Sequence, residues 1–144
     1  MIITASSCPC RAPSPSMADR VMLVEDELFV ALDVQMTVED AGLTVEGPYT
    51  SLAEAEAAIA HLDPHALLCA ILDVRLRDGE VFPAADRLKA AGVPIIFHSG
   101  HADQQALQRR YPGALVCGKP CSPGTLRNSI ESIAQHGPDQ LAAE

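Results

Sequence analysis

Four groups of polar residues could do chemistry in this chain, because each directly follows a short apolar run. In chain order, these groups are Glu25-Asp26, Asp73, Ser99-Gly100 and Lys119-Pro120. Three carboxylates brought close together repel one another and raise one another's pKa values. They stay ionised when a hard cation lies among them, and Mg²⁺ prefers such oxygen ligands. If folding joins these groups, the acidic ones predict a magnesium site.

The same groups suit phosphoryl transfer. A metal-neutralised carboxylate such as Asp73 can attack a phosphoryl group and form an acyl phosphate. The charge that develops on the phosphoryl oxygens needs donors, which Mg²⁺, the Lys119 ammonium and the Ser99 hydroxyl could supply. Gly100 has no side chain and would leave room for the phosphoryl donor.

The elements that must position these residues alternate between strand-like and helix-like patterns. Strands are predicted at about 21–24, 45–49, 66–72, 95–97 and 114–117, and helices at about 27–41, 51–62, 81–91, 102–110 and from 123. Short, continuous apolar runs are typical of strands buried on both faces. The second strand contains Gly47-Pro48, which predicts an edge position. The third is the most apolar and is predicted to be central.

Local signals support the helices. Leu28, Leu32 and Met36 recur at i, i+4 and i+8, as on the apolar stripe of a surface helix. Residues 51–54 form a capping box, and Ser122 with Pro123 is a typical helix start. Strands alternating with helices predict an α/β fold with a parallel sheet covered on both faces, whose sites lie beyond the carboxyl ends of the strands.

The four motifs resemble those of response-regulator receiver domains. They are Val24-Glu25-Asp26-Glu27, Ile71-Leu72-Asp73-Val74, Phe97-His98-Ser99-Gly100 and Gly118-Lys119-Pro120. The resemblance covers about residues 20–135. It implies a flavodoxin-like (βα)₅ doubly wound sheet with strand order 2-1-3-4-5. We expect a receiver domain at 19–136, a disordered tail at 1–18 that contains a second possible start at Met17, and a short tail at 137–144.

By this resemblance, Asp73 is the phosphoryl acceptor. Glu25 and Asp26 hold Mg²⁺ together with Asp73 and the backbone carbonyl of Arg75. Ser99 is the switch hydroxyl, Lys119 contacts the phosphoryl group, and the peptide bond before Pro120 is cis. The resemblance also implies a sensor histidine kinase or a histidine phosphotransfer protein as donor. An unknown output protein would read the face formed by the fourth helix, the fifth strand and the fifth helix.

Three positions depart from the usual family pattern. Val116 stands where many receivers have the aromatic residue that changes rotamer on activation, and Cys121 replaces a common phenylalanine. The stretch from Ser99 to Lys119 is short, which predicts a reduced fourth helix. The 97–100 motif is similar to the Phe-Ala-Thr-Gly motif of some stand-alone receivers, with His98 in place of the alanine.

Two alternative functions remain open at this point. A constitutive adaptor would keep the fold without taking phosphate, and the absence of an aromatic at Val116 favours it. A haloacid dehalogenase-type phosphohydrolase needs a second aspartate two residues after the nucleophile, where this chain has Arg75. The expectation is therefore a signalling protein rather than an enzyme, apart from its own phosphorylation and dephosphorylation.

Composition excludes several classes of protein. The formal net charge is -9, which argues against direct binding of DNA or of anionic lipid. No apolar run approaches the ~20 residues of a membrane span. Five cysteines without framework spacing indicate a reducing cytoplasm rather than a disulfide scaffold.

Overall fold

The computed structural model describes the backbone of residues 18–100 and 104–143, with side chains described up to Gln135. The expected tail at 1–18 lies outside the described residues except for its last member, and so stays a prediction.

Five parallel strands form the central sheet in the order β2-β1-β3-β6-β7. The strands of the chain are β1 (Arg20–Val24), β2 (Thr44–Tyr49), β3 (Leu67–Asp73), β4 (Arg75–Leu76), β5 (Gly79–Glu80), β6 (Ile95–Ser99) and β7 (Leu115–Gly118). The helices are α1 (Leu28–Asp40), α2 (Leu52–Ile59), α3 (Phe82–Ala90), α4 (Gln104–Arg110) and α5 (Pro123–Ala143). The predicted strand order is confirmed, because β4 and β5 form a separate hairpin and the remaining strands follow the order 2-1-3-4-5.

Two apolar cores lie on opposite faces of this sheet, since neighbouring residues of a strand point to opposite sides. Leu72 and Phe97 belong to the core that contains residues of α2, α3 and α4. Ile71 and Ile96 belong to the core that contains residues of α1 and α5. Both faces of β3 are therefore buried, which explains its continuous apolar sequence and confirms its central position.

The edge strand β2 departs from regular geometry at Gly47. Its φ of +113° lies in the region that favours glycine, and a Cβ there would lie 2.7 Å from the Leu23 carbonyl oxygen. The peptide bond to Pro48 is cis, and the pairing register with β1 shifts nearby. At the end of the strand, the Tyr49 hydroxyl donates a hydrogen bond of 2.7 Å to Glu46. The predicted edge position is confirmed.

The apolar stripe that the sequence indicated on α1 is not the buried one. Leu28, Leu32 and Met36 are exposed by 65%, 43% and 61%. The buried face instead carries Ala31, Val34, Thr37 and Val38. Both stripes have helical spacing, so periodicity alone does not decide which one packs. Here the smaller side chains face the sheet.

A loop carboxylate caps α2 from the hairpin β4–β5. Asp78 accepts hydrogen bonds from the backbone N–H groups of Leu52 at 2.7 Å and Ala53 at 3.0 Å. These two bonds lower the pKa of Asp78. The Ser51 hydroxyl accepts a further bond from Glu54, as the capping box predicts. The hairpin that follows Asp73 is thus fixed to the first turn of α2.

The last two helices differ in how far they match the sequence. The described part of α4 has 7 residues, and because residues 101–103 lie outside the described part of the chain, the expected reduction stays a prediction. Ser122 caps α5 as predicted, through a 3.1 Å hydrogen bond from Thr125 N–H. However, α5 continues to Ala143, beyond the tail expected from Gly137. None of the described helices is long and apolar enough to cross a bilayer.

Candidate functional site

Three carboxylates meet at the carboxyl ends of β1 and β3. Oxygens of Glu25, Asp26 and Asp73 all lie within 4.8 Å of one another. Glu25 and Asp73 are buried, whereas Asp26 is half-buried. The predicted convergence arises because β1 and β3 are parallel neighbours whose last residues reach the same sheet edge. A small patch of this kind, made only of oxygen donors, fits Mg²⁺.

Lys119 supplies the positive charge of this cluster. Its Nζ lies 3.0 Å from Glu25 Oε1, 3.3 Å from Asp73 Oδ2 and 3.7 Å from Glu27 Oε1. Burial lowers the pKa of Lys119, but the hydrogen bonds and charges of Glu25 and Asp73 outweigh it and raise the pKa overall. The Lys119–Pro120 peptide bond is cis, as predicted. Lys119 N–H also donates a 2.8 Å hydrogen bond to the Ser99 carbonyl, which joins the ends of β6 and β7.

The charge balance of the cluster is incomplete without a cation. Burial, followed by the hydrogen bond and the charge of Asp73, raises the pKa of Glu25 to about 7. Lys119 and the Glu27 backbone N–H, at 3.2 Å, act in the opposite direction but do not prevail. A divalent cation would favour the ionised form of every carboxylate here. The donor set and its electrostatics therefore both fit a metal.

The cluster lies at one end of a cleft of about 580 Å³. Ser99 and Gly100 line the cleft beside Asp73 and Lys119, so all four groups from the sequence meet in one place. A Cβ at Gly100 would lie 3.7 Å from Lys119 Cδ, an ordinary contact, so the path of Lys119 does not require glycine.

Arg75 lies on the opposite rim of the cleft. It begins the hairpin strand β4 and pairs with Glu80 of β5, and its side chain is exposed. The sequence did not predict this hairpin, because strands of two residues carry no periodicity. The roles assigned to Arg75, Ser99 and Gly100 stay predictions.

Sequence reasoning missed a buried aromatic at the end of α4. Tyr111 packs against Phe97 with the two rings tilted and their centroids 5.0 Å apart, and its hydroxyl donates a 2.6 Å hydrogen bond to Asp86 of α3. Val116, at the usual aromatic position, is the β7 neighbour of Phe97 and packs at the edge of the same core. The only sequence signal for Tyr111 was the scarcity of aromatics, at 3% of the chain.

His98 is the second buried residue that the sequence did not assign to the site. It pairs with Asp73 across β3 and β6, and its Nδ1 lies 3.9 Å from Glu25 Oε1. Burial and, second, the charge of Lys119 lower the pKa of His98. The imidazole is therefore neutral at pH values near 7.

Comparison with known proteins supports the fold, although no family model matches the chain. The phyllosphere-induced regulator PhyR of Methylorubrum extorquens is 28% identical over 118 residues, which cover 81% of this chain and 43% of PhyR. The chain thus spans less than half the length of this relative.

Solved structures give the same result. The signal receiver domain of a modulated diguanylate cyclase from Desulfovibrio desulfuricans G20 has a TM-score of 0.68 and 27% identity, covering 81% of this chain and 93% of that one. The response regulator PhyR from Brucella abortus has a TM-score of 0.69 and 26% identity, covering 90% of this chain and 53% of that one. A response regulator receiver protein from Sinorhizobium medicae WSM419 has a TM-score of 0.72, covering 82% of this chain and 95% of that one. Because its identity is only 23%, this match supports the fold alone.

Proposed function

Because this chain is a response-regulator receiver domain, we propose that it is a phosphorylation switch whose acceptor is Asp73. The observation that best supports this proposal is the position of Asp73. Its carboxylate is buried at the sheet edge, with Lys119 Nζ at 3.3 Å and two further carboxylates in contact range.

Each residue of the cluster has a defined part in the proposed reaction. An Asp73 oxygen attacks the phosphorus of an N-phosphohistidine, the P–N bond breaks, and the donor imidazole leaves. Lys119 contributes charge-assisted hydrogen bonds to the transferred phosphoryl oxygens. Glu25, Asp26 and Asp73 would hold Mg²⁺, which would neutralise their charge and polarise the phosphoryl group. Ser99 would bond to the phosphoryl oxygen afterwards.

The exposed stripe of α1 supports the proposed docking of a histidine kinase or a phosphotransfer protein. Phe29, exposed by 81%, extends the exposed stripe of Leu28, Leu32 and Met36. Residues 25–40 contain acidic residues and no lysine or arginine. A donor protein that fits this face presents an apolar surface flanked by basic residues. Output would pass through the face of α4, β7 and α5.

Intact-mass measurement tests the acceptor. With Mg²⁺ and a small acyl phosphate, the wild-type protein should gain one phosphoryl group, which is lost again in base. Asp73→Asn should gain none, while Asp63→Asn, a matched control that lies before the opposite end of β3, should behave like the wild type. A chain that keeps its fold but takes no phosphoryl group is the constitutive adaptor. Steady release of phosphate from an aryl phosphate would instead support a phosphohydrolase.

A second comparison separates docking from chemistry. Leu32→Ser should slow phosphoryl transfer from a donor protein but leave uptake from the small acyl phosphate unchanged. Equal loss with both donors would mean that the α1 face is not a docking surface.

A further inference from the structure

Glu27 is a carboxylate of the cleft that has no part in the reaction described above. It lines the same cleft as Asp73 and Lys119, and its side chain is 67% exposed. Its Oε1 lies 3.7 Å from Lys119 Nζ, which in turn lies 3.3 Å from Asp73 Oδ2. A single ammonium group therefore separates this exposed carboxylate from the phosphoryl acceptor.

The side chain of Glu27 does not stabilise the helix that it precedes. Glu27 is the N-cap residue of α1, yet its side chain makes no capping hydrogen bond. Only its backbone is used locally, because its N–H donates to Glu25 Oε2 at 3.2 Å and its carbonyl accepts from Ala31 N–H at 2.9 Å. The carboxylate thus lies at the rim of the cleft, where a molecule that enters the cleft can reach it.

An N-phosphohistidine donor needs an anionic acceptor at such a position. Asp73 is buried, so the donor approaches from the open side of the cleft, with its leaving nitrogen in line with the attacking oxygen. When the P–N bond breaks, its electron pair passes to the donor ring, which leaves as neutral imidazole if the other ring nitrogen already carries a proton. In the protonated ring this second N–H is a charged donor, and a carboxylate is its strongest acceptor.

We propose that Glu27 accepts a hydrogen bond from this N–H and thereby favours phosphohistidine donors over acyl phosphates. This inference rests on the proposed phosphorylation of Asp73. An acyl phosphate has no ring N–H, and its leaving group is itself a carboxylate, so Glu27 offers it no stabilisation. Glu27 also directly precedes the exposed Leu28 and Phe29 of α1. The carboxylate is therefore continuous with the face to which the donor protein is assigned.

Intact-mass kinetics of the full chain with three small donors test the proposal. N-phosphoimidazole carries the ring N–H, 1-phospho-3-methylimidazolium has a methyl group in its place, and acetyl phosphate has no ring. In the presence of Mg²⁺, Glu27→Gln should slow uptake from N-phosphoimidazole about fivefold, as expected for a charge-assisted hydrogen bond to a largely exposed side chain. Uptake from the other two donors should stay within about twofold of the wild-type rate.

The ratio of the rates with the different donors isolates this hydrogen bond. An effect of the substitution on Lys119 or on Mg²⁺ acts on the transferred phosphoryl group, which all three donors share, so it cancels in the ratio. Glu80→Gln removes another exposed carboxylate of the same cleft, and this matched control should leave the ratio unchanged.

Three results would overturn the role of Glu27 while leaving Asp73 as the acceptor. They are equal slowing with all donors, no slowing with N-phosphoimidazole, and an equal change of the ratio in Glu80→Gln. A wild-type protein that takes no phosphoryl group from any of the three donors would overturn the proposed phosphorylation together with this inference.

Discussion

The pKa of Glu25 makes a quantitative prediction about metal-free protein. A carboxyl whose pKa is raised from 4.5 to about 7 on folding binds its proton more tightly in the folded state than in the unfolded state. Its protonation stabilises the fold at low pH, and this stabilisation is lost as the pH rises through about 7. Between about pH 5 and about pH 8 the two pKa values correspond to a loss of roughly 2–3 kcal/mol in the free energy of unfolding. Glu25 is only 1% exposed, so solvent screening reduces this little.

Glu25→Gln removes this titration and keeps the shape of the protonated side chain. Urea unfolding of both proteins in a metal chelator should show the variant gaining roughly 2–3 kcal/mol relative to the wild type between about pH 5 and about pH 8. His98 contributes the opposite slope in both proteins, because burial and the charge of Lys119 lower its pKa. Glu27→Gln makes the same chemical change at an exposed neighbour and should give parallel curves. Parallel curves for Glu25→Gln as well would refute the reasoning.

Three further predictions concern the site and its surroundings. Asp26→Asn should abolish Mg²⁺ binding and phosphorylation. Because it removes one of three repelling charges, it should also raise the free energy of unfolding of the metal-free protein by roughly 0.5 kcal/mol. Destabilisation in urea unfolding would instead mean that Asp26 has a stabilising partner in the fold. Ser99→Ala should still take phosphate at Asp73 by intact mass but lose the change in amide hydrogen exchange at 104–112, and a wild-type exchange response would exclude this hydroxyl from the switch. Tyr111→Phe should lower the free energy of unfolding by about 1.5 kcal/mol through loss of the hydrogen bond to Asp86, whereas an unchanged urea midpoint would mean that the bond contributes nothing.

The sequence predicted the sheet and the convergence of the site because both depend on local signals. Short apolar runs mark buried strands, and a polar residue after each run reaches the same edge when the strands are parallel. Asp73 and Lys119 could therefore be brought together without any knowledge of packing, although their roles still require experiment.

Packing choices could not be predicted in the same way. On α1 two stripes have equally good helical spacing, and only contact with the sheet decides that Val34 is buried and Met36 exposed. The capping of α2 by Asp78 joins residues 26 positions apart and leaves no pattern in the sequence. The burial of His98 depends on how the helices pack on the sheet, so the sequence showed this residue only as a departure from a motif.

The position of Tyr111 also gives the chain a built-in optical probe. The sequence contains no tryptophan and only two tyrosines. Tyr49 ends the edge strand β2, whereas Tyr111 directly follows α4 and packs against Phe97. A Tyr49→Phe variant leaves Tyr111 as the single tyrosyl chromophore of the chain. Its ultraviolet absorption and fluorescence would then follow movement of α4 in real time, without an attached dye or an isotope label.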